Sequence, residues 1–322
     1  MISNPIFERE LKERARTVRM PVVLSIFLLL FGCAVWIIVA SLTSDAGRVF
    51  GATLTGRNLF HWILFFLLLF VSFITAPYAS GMIAGERERQ TLHLVQMSGM
   101  TPRQIVTGKI MASLAWVTLL VVATLPFAAI SVILGGVTWT EMVVGYAMVL
   151  FCAATFSTLC IGLSSRMKRS SGAAVLSIML VLVFWVGTWA VFGLAVWAQD
   201  DFSPQVRPTW ALTLNPLVGT ASAIQGRDQG GTDEPNVMRA LFFFVHTSKD
   251  PSLGFPFALP GQGANPPAPG TRTVPFWVWT AGWYLLLDLL AFRWAVVGVT
   301  TPRATFVAGG RRRRRGQLEE AS

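Results

Sequence analysis

The chain has 322 residues, of which 53% are hydrophobic and 13% are charged. A soluble globular domain carries about 25% charged residues, so this composition excludes a typical water-soluble enzyme, a disordered regulator and a disulfide scaffold. The 26 basic residues outnumber the 16 acidic ones and give a net charge of +10. Such an excess is typical of a protein that contacts nucleic acid or an anionic surface, and the positions of the charges decide between the two.

Long intervals without charge predict an α-helical membrane protein. Five intervals of 24 to 31 residues contain no Asp, Glu, Lys or Arg, and about 20 apolar residues cross a bilayer as a helix. A sixth apolar segment contains Asp288 and Arg293. Backbone groups in lipid must be paired internally, and the runs lack the two-residue alternation of a β-barrel. The predicted spans are residues 21–41, 59–82, 105–134, 142–163, 173–197 and 274–297.

The distribution of Lys and Arg predicts that both termini are cytoplasmic. Of the 26 basic residues, 19 lie before the first span, in the loops after the second and fourth spans, or around and after the end of the sixth. Cytoplasmic loops carry this excess in membrane proteins. We therefore predict a cytoplasmic elbow helix over residues 1–20, a six-span domain over 21–298 and a basic cytoplasmic tail over 299–322, in the plasma (bacterial inner) membrane.

The N-terminal segment has the pattern of an amphipathic helix. Asn4 and Pro5 favour a helix start, and Phe7, Leu11 and Ala15 then recur on one face. The pairs Glu8/Lys12 and Glu10/Arg14 have the (i, i+4) spacing that stabilises helices. The helix is interpreted either as an anchor on the inner leaflet or as a lever that touches a cytoplasmic partner.

Residues 85–104 form the most informative loop. A charged helical start with balanced charge, Glu86 to Arg89, is followed by the apolar residues Leu92 and Val95. Thr101 and Pro102 then indicate a new helix N-terminus. A short amphipathic helix on the cytoplasmic side suits docking into a groove of a soluble partner, whereas composition alone favours a solvated loop that obeys the positive-inside rule.

This loop resembles the signature of ABC-2-type transporter permeases. The resemblance rests on Gly85-Glu86-Arg87-Glu88-Arg89-x-Thr91-Leu92 and on Thr101-Pro102-Arg103-x-Ile105-Val106-x-Gly108-Lys109, with Asn4-Pro5 and Glu10-Leu11 similar to the start of the family. The sequence departs from the family pattern at Gln90, where glycine is common, and at His93, where an acid is common.

The resemblance implies a membrane subunit of an ATP-driven exporter, which lacks an ATPase of its own. The loop would be the coupling helix that rests on an ATP-binding subunit, with two such subunits and two permease chains, identical or related, in the complex. ATP and Mg²⁺ would bind to the partner, and this chain would bind no cofactor. The residues expected at the partner contact are Glu86, Arg87, Glu88, Arg89, Thr91, Leu92, Leu94, Val95, Thr101, Pro102 and Arg103, with Arg166, Lys168 and Arg169 in the second cytoplasmic loop.

Two alternatives to a transporter subunit stay open. An intramembrane enzyme needs a nucleophile and a base on facing spans, and His61, at the edge of the second span, is the only histidine in a predicted span. A membrane scaffold without an ATPase is the other alternative. The three histidines and three cysteines do not have metal-ligand spacing, so we expect neither a metal site nor catalytic residues.

Polar residues and small residues inside the spans are further candidates. A charged side chain such as that of Asp288 costs free energy inside the membrane, which makes Asp288 a candidate for the translocation path. Alternatively, it pairs with a neighbouring helix or with Arg293. Pro77 and Pro126 predict kinks or breaks. Small residues every fourth position predict close helix contacts, either within the chain or in a dimer. These faces are Ala76, Ser80 and Ala84 in the second span and Ala154, Thr158 and Gly162 in the fourth.

The predicted extracytoplasmic loop, residues 199–273, and the tail complete the chain. Residues 210–224 and 237–246 are apolar enough for short helices, and the loop is interpreted as a lid over an exit path or as a docking surface. The five arginines at 311–315 are expected to attract anionic membrane lipid rather than nucleic acid.

Overall fold

The computed structural model describes residues 5–15, 19–43, 56–97, 99–135, 137–197, 209–225 and 276–300, and within these ranges the chain is helical and without β-strands. The helices include a π-helical turn, Val183–Gly187, and a 3₁₀ helix, Thr209–Leu214. The α-helices in chain order are α1 (Pro5–Ala15), α2 (Arg19–Thr43), α3 (Gly56–Glu88), α4 (Leu92–Met97), α5 (Pro102–Ala123), α6 (Leu125–Ile133), α7 (Trp139–Ser164), α8 (Ser170–Leu182), α9 (Thr188–Trp197), α10 (Pro216–Gln225) and α11 (Phe276–Val299).

Six helical segments of the described chain are long and apolar enough to cross a membrane, which confirms the predicted fold class. Spans 1 to 6 are Met20–Ala40, Leu59–Glu88, Pro102–Ile133, Trp139–Ser164, Ser170–Leu194 and Trp277–Val299. Span 2 extends as a helix six residues past its predicted end at residue 82. Glu and Arg are good helix formers, so the charged block continues the helix instead of starting a loop.

Spans 2 and 4 form the centre of the bundle. Helix α3 packs on α7 and α8, and α7 also packs on α5 and α11. Large side chains such as Phe60, Phe156 and Tyr284 are buried between them. Spans 1, 5 and 6 instead expose rows of Leu, Ile, Val and Trp, which suits contact with lipid.

The two prolines act differently. Span 3 is interrupted at Thr124, between α5 and α6, directly before Leu125 and Pro126. This confirms the predicted break at Pro126, because proline cannot donate to the preceding turn. Helix α3 is not interrupted at Pro77, and the Ser80 hydroxyl donates to the Pro77 carbonyl at 2.9 Å.

The small-residue faces make close contacts within this chain. The Ser164 hydroxyl of α7 donates to the Ser80 carbonyl and accepts from the Ala84 amide of α3. A side chain at Gly162 would meet the backbone of Ala291 in α11 at 3.1 Å. The predicted close packing is confirmed, and it occurs between spans 2 and 4 and between spans 4 and 6.

Part of the predicted outer loop is helical and lies inside the bundle. The 3₁₀ helix and α10 confirm the helices expected at 210–224, and α10 packs on α7 and α11. Gly219 comes so close to Thr280 of α11 that a side chain there would collide with it. The expected helix at 237–246 and the basic tail lie outside the described residues, and the side of the membrane that each terminus occupies stays a prediction.

Candidate functional site

The centre of the candidate site is the buried ammonium group of Lys109, at the end of the bundle that holds α1 and α4, here called the basic end. The side chain of Lys109 is 1% exposed. Its Nζ lies 3.1 Å from Glu10 Oε1 and 2.8 Å from Glu86 Oε1, and it donates to the Met82 carbonyl at 3.0 Å. Lysine has three donors, and all three have an acceptor. These four residues are called the Lys109 cluster.

The Lys109 cluster joins three helices that are far apart in sequence. Glu10 belongs to α1, Met82 and Glu86 to α3, and Lys109 to α5. A buried charge without partners is very costly, and good geometry with additional hydrogen bonds makes it tolerable. The relative positions of these three helix ends are therefore specified by the cluster.

Arg87 ties the end of α3 to two further elements. It donates to the Met167 carbonyl at 3.0 Å, in the connection between spans 4 and 5, and to the Gly298 carbonyl at 3.1 Å, in the last turn of α11. The final carbonyls of a helix lack intrahelical partners and carry partial negative charge. A guanidinium is a suitable partner for such a helix end.

Glu88 reaches the start of span 5. Its Oε2 accepts a hydrogen bond at 2.9 Å from the amide of Ser170, the first residue of α8. Arg169, the N-cap residue of α8, makes no side-chain capping bond. A carboxylate near a helix N-terminus satisfies a free amide and complements the helix dipole, so Glu88 caps α8 from another helix.

Helix α4 presents its own apolar side chains outward. Leu92 is buried at 7% exposure, whereas Leu94 and Met97 are 61% and 79% exposed. The Gln96 side chain donates to the Val299 carbonyl at 2.6 Å and fixes α4 to the end of α11. Of the predicted apolar pair, Leu92 thus packs against this chain and Val95 is half-buried.

The two ends of α4 have defined backbone geometry. Gln90, just before α4, has a φ of +58°, in the left-handed region that favours glycine. After α4, Thr101 and Gln104 form a capping box with Pro102 in the first turn of α5. This confirms the helix start predicted at Thr101 and Pro102. Arg89, Thr91 and Arg103 are exposed around this loop.

A cavity of about 280 Å³ lies between α1 and the α4 segment. It opens at the surface of the basic end, and apolar side chains form most of its wall. Glu86 of the Lys109 cluster also lines it. Its lining residues are Ile6, Arg9, Glu86, Thr91, Leu94, Val95 and Met100.

The remaining predicted residues lie apart from the Lys109 cluster. Lys168 and Arg169 are exposed on the connection between spans 4 and 5. Arg166, on the same connection, lies over the ring of Trp294. Asp288 is half-buried in span 6, and its Oδ2 accepts from the Thr155 hydroxyl of span 4 at 3.2 Å. Of the two partners considered for Asp288, the structure therefore shows the neighbouring helix.

Sequence reasoning missed a second polar centre, at Asn215, in the opposite half of the bundle. The side chain of Asn215 is fully buried. Its Nδ2 donates to Thr188 Oγ1 at 2.8 Å and to the Trp185 carbonyl at 3.3 Å, and its Oδ1 accepts from the Leu217 amide at 2.9 Å. Asn215 thus caps α10 and satisfies the π-helical turn of span 5, where the regular α-helical bonding is interrupted.

The sequence signal for Asn215 is the Asn-Pro pair before an apolar run, which indicates a helix N-terminus. Tyr284 of α11 supports the same segment, because its hydroxyl donates to the Leu214 carbonyl at 2.9 Å. The pair coincides with the start of α10 at Pro216 and is a signal that the sequence prediction of this helix did not use. It does not predict that the amide reaches into span 5.

The fold and the site define a multi-pass membrane protein with a charged, surface-connected centre at one end. Residues 4–259 match the family model described as ABC-2 family transporter protein. The match covers most of the chain, including the Lys109 cluster, α4 and five spans, and the chain belongs to this family. Membership makes it a membrane component of a transporter and implies an ATP-binding subunit as partner. No curated protein matches the chain.

Proposed function

We propose that the chain is the permease subunit of an ATP-driven exporter, in which separate subunits bind and hydrolyse ATP with Mg²⁺. Two ATP-binding subunits and two permease chains, identical or related, would form the complex. The observation that carries the proposal is the Lys109 cluster, which joins α1, the end of span 2 and span 3 around a buried ammonium group. The exposed helix α4 follows directly after that end of span 2. No cofactor is assigned to this chain.

The docking surface is proposed to be the exposed face of α4 together with the adjoining cavity. Leu94 and Met97 offer apolar contacts, and Arg89, His93 and Arg103 surround them with polar groups. An apolar centre with a polar rim is typical of protein interfaces. The 280 Å³ cavity beside Leu94 has room for one or two side chains of the ATP-binding subunit.

Movement of α4 and of the end of α3 that precedes it would be transmitted through side-chain contacts to several spans. Glu86 contacts Lys109 of span 3, and Glu88 contacts the start of span 5. Arg87 and Gln96 both contact the end of span 6. A conformational change requires a ligand that binds the two states with different affinity. In this proposal ATP supplies that difference on the partner, and these contacts carry it to the spans.

Co-purification with the cognate ATP-binding subunit tests the proposal. The double variant Leu94→Asp, Met97→Asp should lower recovery of the ATP-binding subunit at least tenfold, since charged groups replace the apolar centre of the interface. The thermal stability of the isolated chain should be unchanged, because both side chains are exposed. Recovery is measured by quantitative immunoblotting after mild solubilisation.

The matched control is Ile133→Asp, at the other end of span 3, where the side chain is 84% exposed. This variant should recover the ATP-binding subunit as the wild type does. Equal recovery with the α4 double variant would disprove the docking surface. If no ATP-binding subunit associates with the wild-type chain, the transporter proposal itself fails and the scaffold alternative gains support.

A further inference from the structure

Arg166 is held against the surface of span 6. Its guanidinium carbon lies 5.4 Å from the centroid of the Trp294 ring, which is the geometry of a cation–π contact. The backbone next to Arg166 is fixed as well, because Arg87 donates to the Met167 carbonyl. The cation is therefore exposed but has a defined position at the basic end of the bundle.

The positive charge at this position lacks a counter-charge in the described part of the chain. Lys109 and Arg57 each lie within 4 Å of a carboxylate. The guanidinium groups of Arg166 and Arg293 form neither an ion pair nor a hydrogen bond with any described residue. Arg87 is close enough to Arg166 for their like charges to repel. The arrangement therefore favours an anion from outside the described residues.

The surface around Trp294 is apolar. Trp294 is 50% exposed, and Leu290 and Val297 beside it on α11 are 58% and 52% exposed. Arg293 is six residues from the end of α11, about 9 Å at 1.5 Å per residue, and an arginine this close to the interface extends toward it. A ligand here must offer negative charge to the guanidinium groups and an apolar body to α11.

We propose that Arg166, Trp294 and Arg293 form a binding site for an anionic phospholipid. Its phosphate would pair with the guanidinium of Arg166, since guanidinium groups bind phosphate through paired N–H donors. Its acyl chains would lie along the exposed apolar face of α11, and Arg293 would contribute a second positive charge. A soluble anion would meet the charges but would leave the apolar face without a partner.

Electron paramagnetic resonance with spin-labelled phosphatidylglycerol and phosphatidylcholine tests the site. The full chain is reconstituted in phosphatidylcholine bilayers, and the association constant of each labelled lipid is obtained from its motionally restricted fraction. Arg166→Gln should lower the preference for phosphatidylglycerol at least about fivefold, because the charged hydrogen bonds between the guanidinium and the phosphate are lost. Arg166→Lys should keep part of the preference, because the charge remains and the paired donors are lost.

The matched control is Arg169→Gln, which removes the same charge from an exposed position on the same connection without an aromatic neighbour. It should change the preference less than twofold. Equal effects of Arg166→Gln and Arg169→Gln would show a diffuse attraction and overturn the proposal.

A second variant tests the apolar part of the site. Trp294→Leu keeps an apolar surface but removes the ring that holds the guanidinium, so it should also weaken binding. If Arg166→Gln does not fold, an unchanged preference in Trp294→Leu overturns the proposal. Displacement of the lipid by inorganic phosphate would point to a soluble anion and reject the lipid.

Discussion

The two halves of the bundle are held together by different chemistry. At the basic end, one buried ammonium group is shared by two carboxylates and a carbonyl in the Lys109 cluster. In the opposite half, the neutral amide of Asn215 joins the start of α10 to the π-helical turn of span 5. Each centre connects elements that are distant in sequence, and each is buried.

The difference matters because the two interactions respond differently to movement. The attraction between full charges falls slowly with distance, whereas a neutral hydrogen bond weakens steeply when its geometry is lost. We therefore expect the Lys109 cluster to tolerate displacement of α1 and of the end of α3 relative to α5 while it still holds them together. The Asn215 centre is expected to behave as a fixed point in the other half.

The largest effect is expected from Lys109→Met. The substitution removes the buried ammonium group that Glu10 and Glu86 share, and breaking a buried pair in this way destabilises a protein by about 3–5 kcal/mol. The midpoint of thermal unfolding in detergent should fall accordingly. Lys12→Met is the control, since Lys12 is 79% exposed and pairs with Glu8 only at 3.9 Å, and it should have almost no effect.

A combined variant sharpens the interpretation of the Lys109 cluster. If Glu10→Gln and Glu86→Gln are added to Lys109→Met, the two carboxylates that lost the shared ammonium group become neutral amides, and part of the stability should return. The triple variant should nevertheless lose stimulation of ATP hydrolysis on the partner, because the charged connection is absent. Normal stimulation would contradict the role of the Lys109 cluster in transmission.

A smaller effect is expected from Asn215→Ala. The substitution removes the cap of α10 and leaves buried backbone groups without partners, which costs about 1–3 kcal/mol. Asn215→Asp keeps the acceptor for the Leu217 amide but loses the donor to Thr188, so it separates the two functions of the side chain. The measurement is again the unfolding midpoint, here with Ser222→Ala on α10 as the control.

Asn215→Ala should leave docking of the ATP-binding subunit unchanged, because Asn215 is in the half of the bundle opposite to α4. Loss of co-purification in a variant that is otherwise folded would show that the two halves are not independent. An unfolding midpoint equal to that of the wild type would contradict the structural importance of Asn215.

The smallest effect is expected from Gln90→Gly, and it is stabilising. Gln90 has a φ of +58°, a conformation that costs a non-glycine residue about 1–2 kcal/mol. Part of this gain is offset by the greater freedom of glycine in the unfolded chain, so the net increase should be below about 1 kcal/mol. Gln90→Ala keeps the strain and serves as the control; a higher midpoint for Ala than for Gly would refute the explanation.

At Gln90, the residue type that is common in the family pattern matches the backbone conformation in the structure. Glycine is common at this position in the family pattern, and the left-handed backbone before α4 is the conformation that glycine adopts without strain. The glycine of the family pattern thus indicates a positive φ at this position, which the glutamine of this chain does not indicate. The contacts of Glu86, Arg87 and Glu88 could not be predicted from the family pattern, because their partners are distant in sequence.

The number of spans, their approximate ends and the start of α5 were determined by the sequence alone. Hydrophobic length and helix capping depend on neighbouring residues, and the interval before Asp45 or the Thr101-Pro102 pair is visible without a fold. The burial of Lys109 against Glu10, and the reach of Asn215 into span 5, were decided by the tertiary structure only. Both depend on which uncharged helices pack side by side, and uniformly apolar helices contain little information about their neighbours.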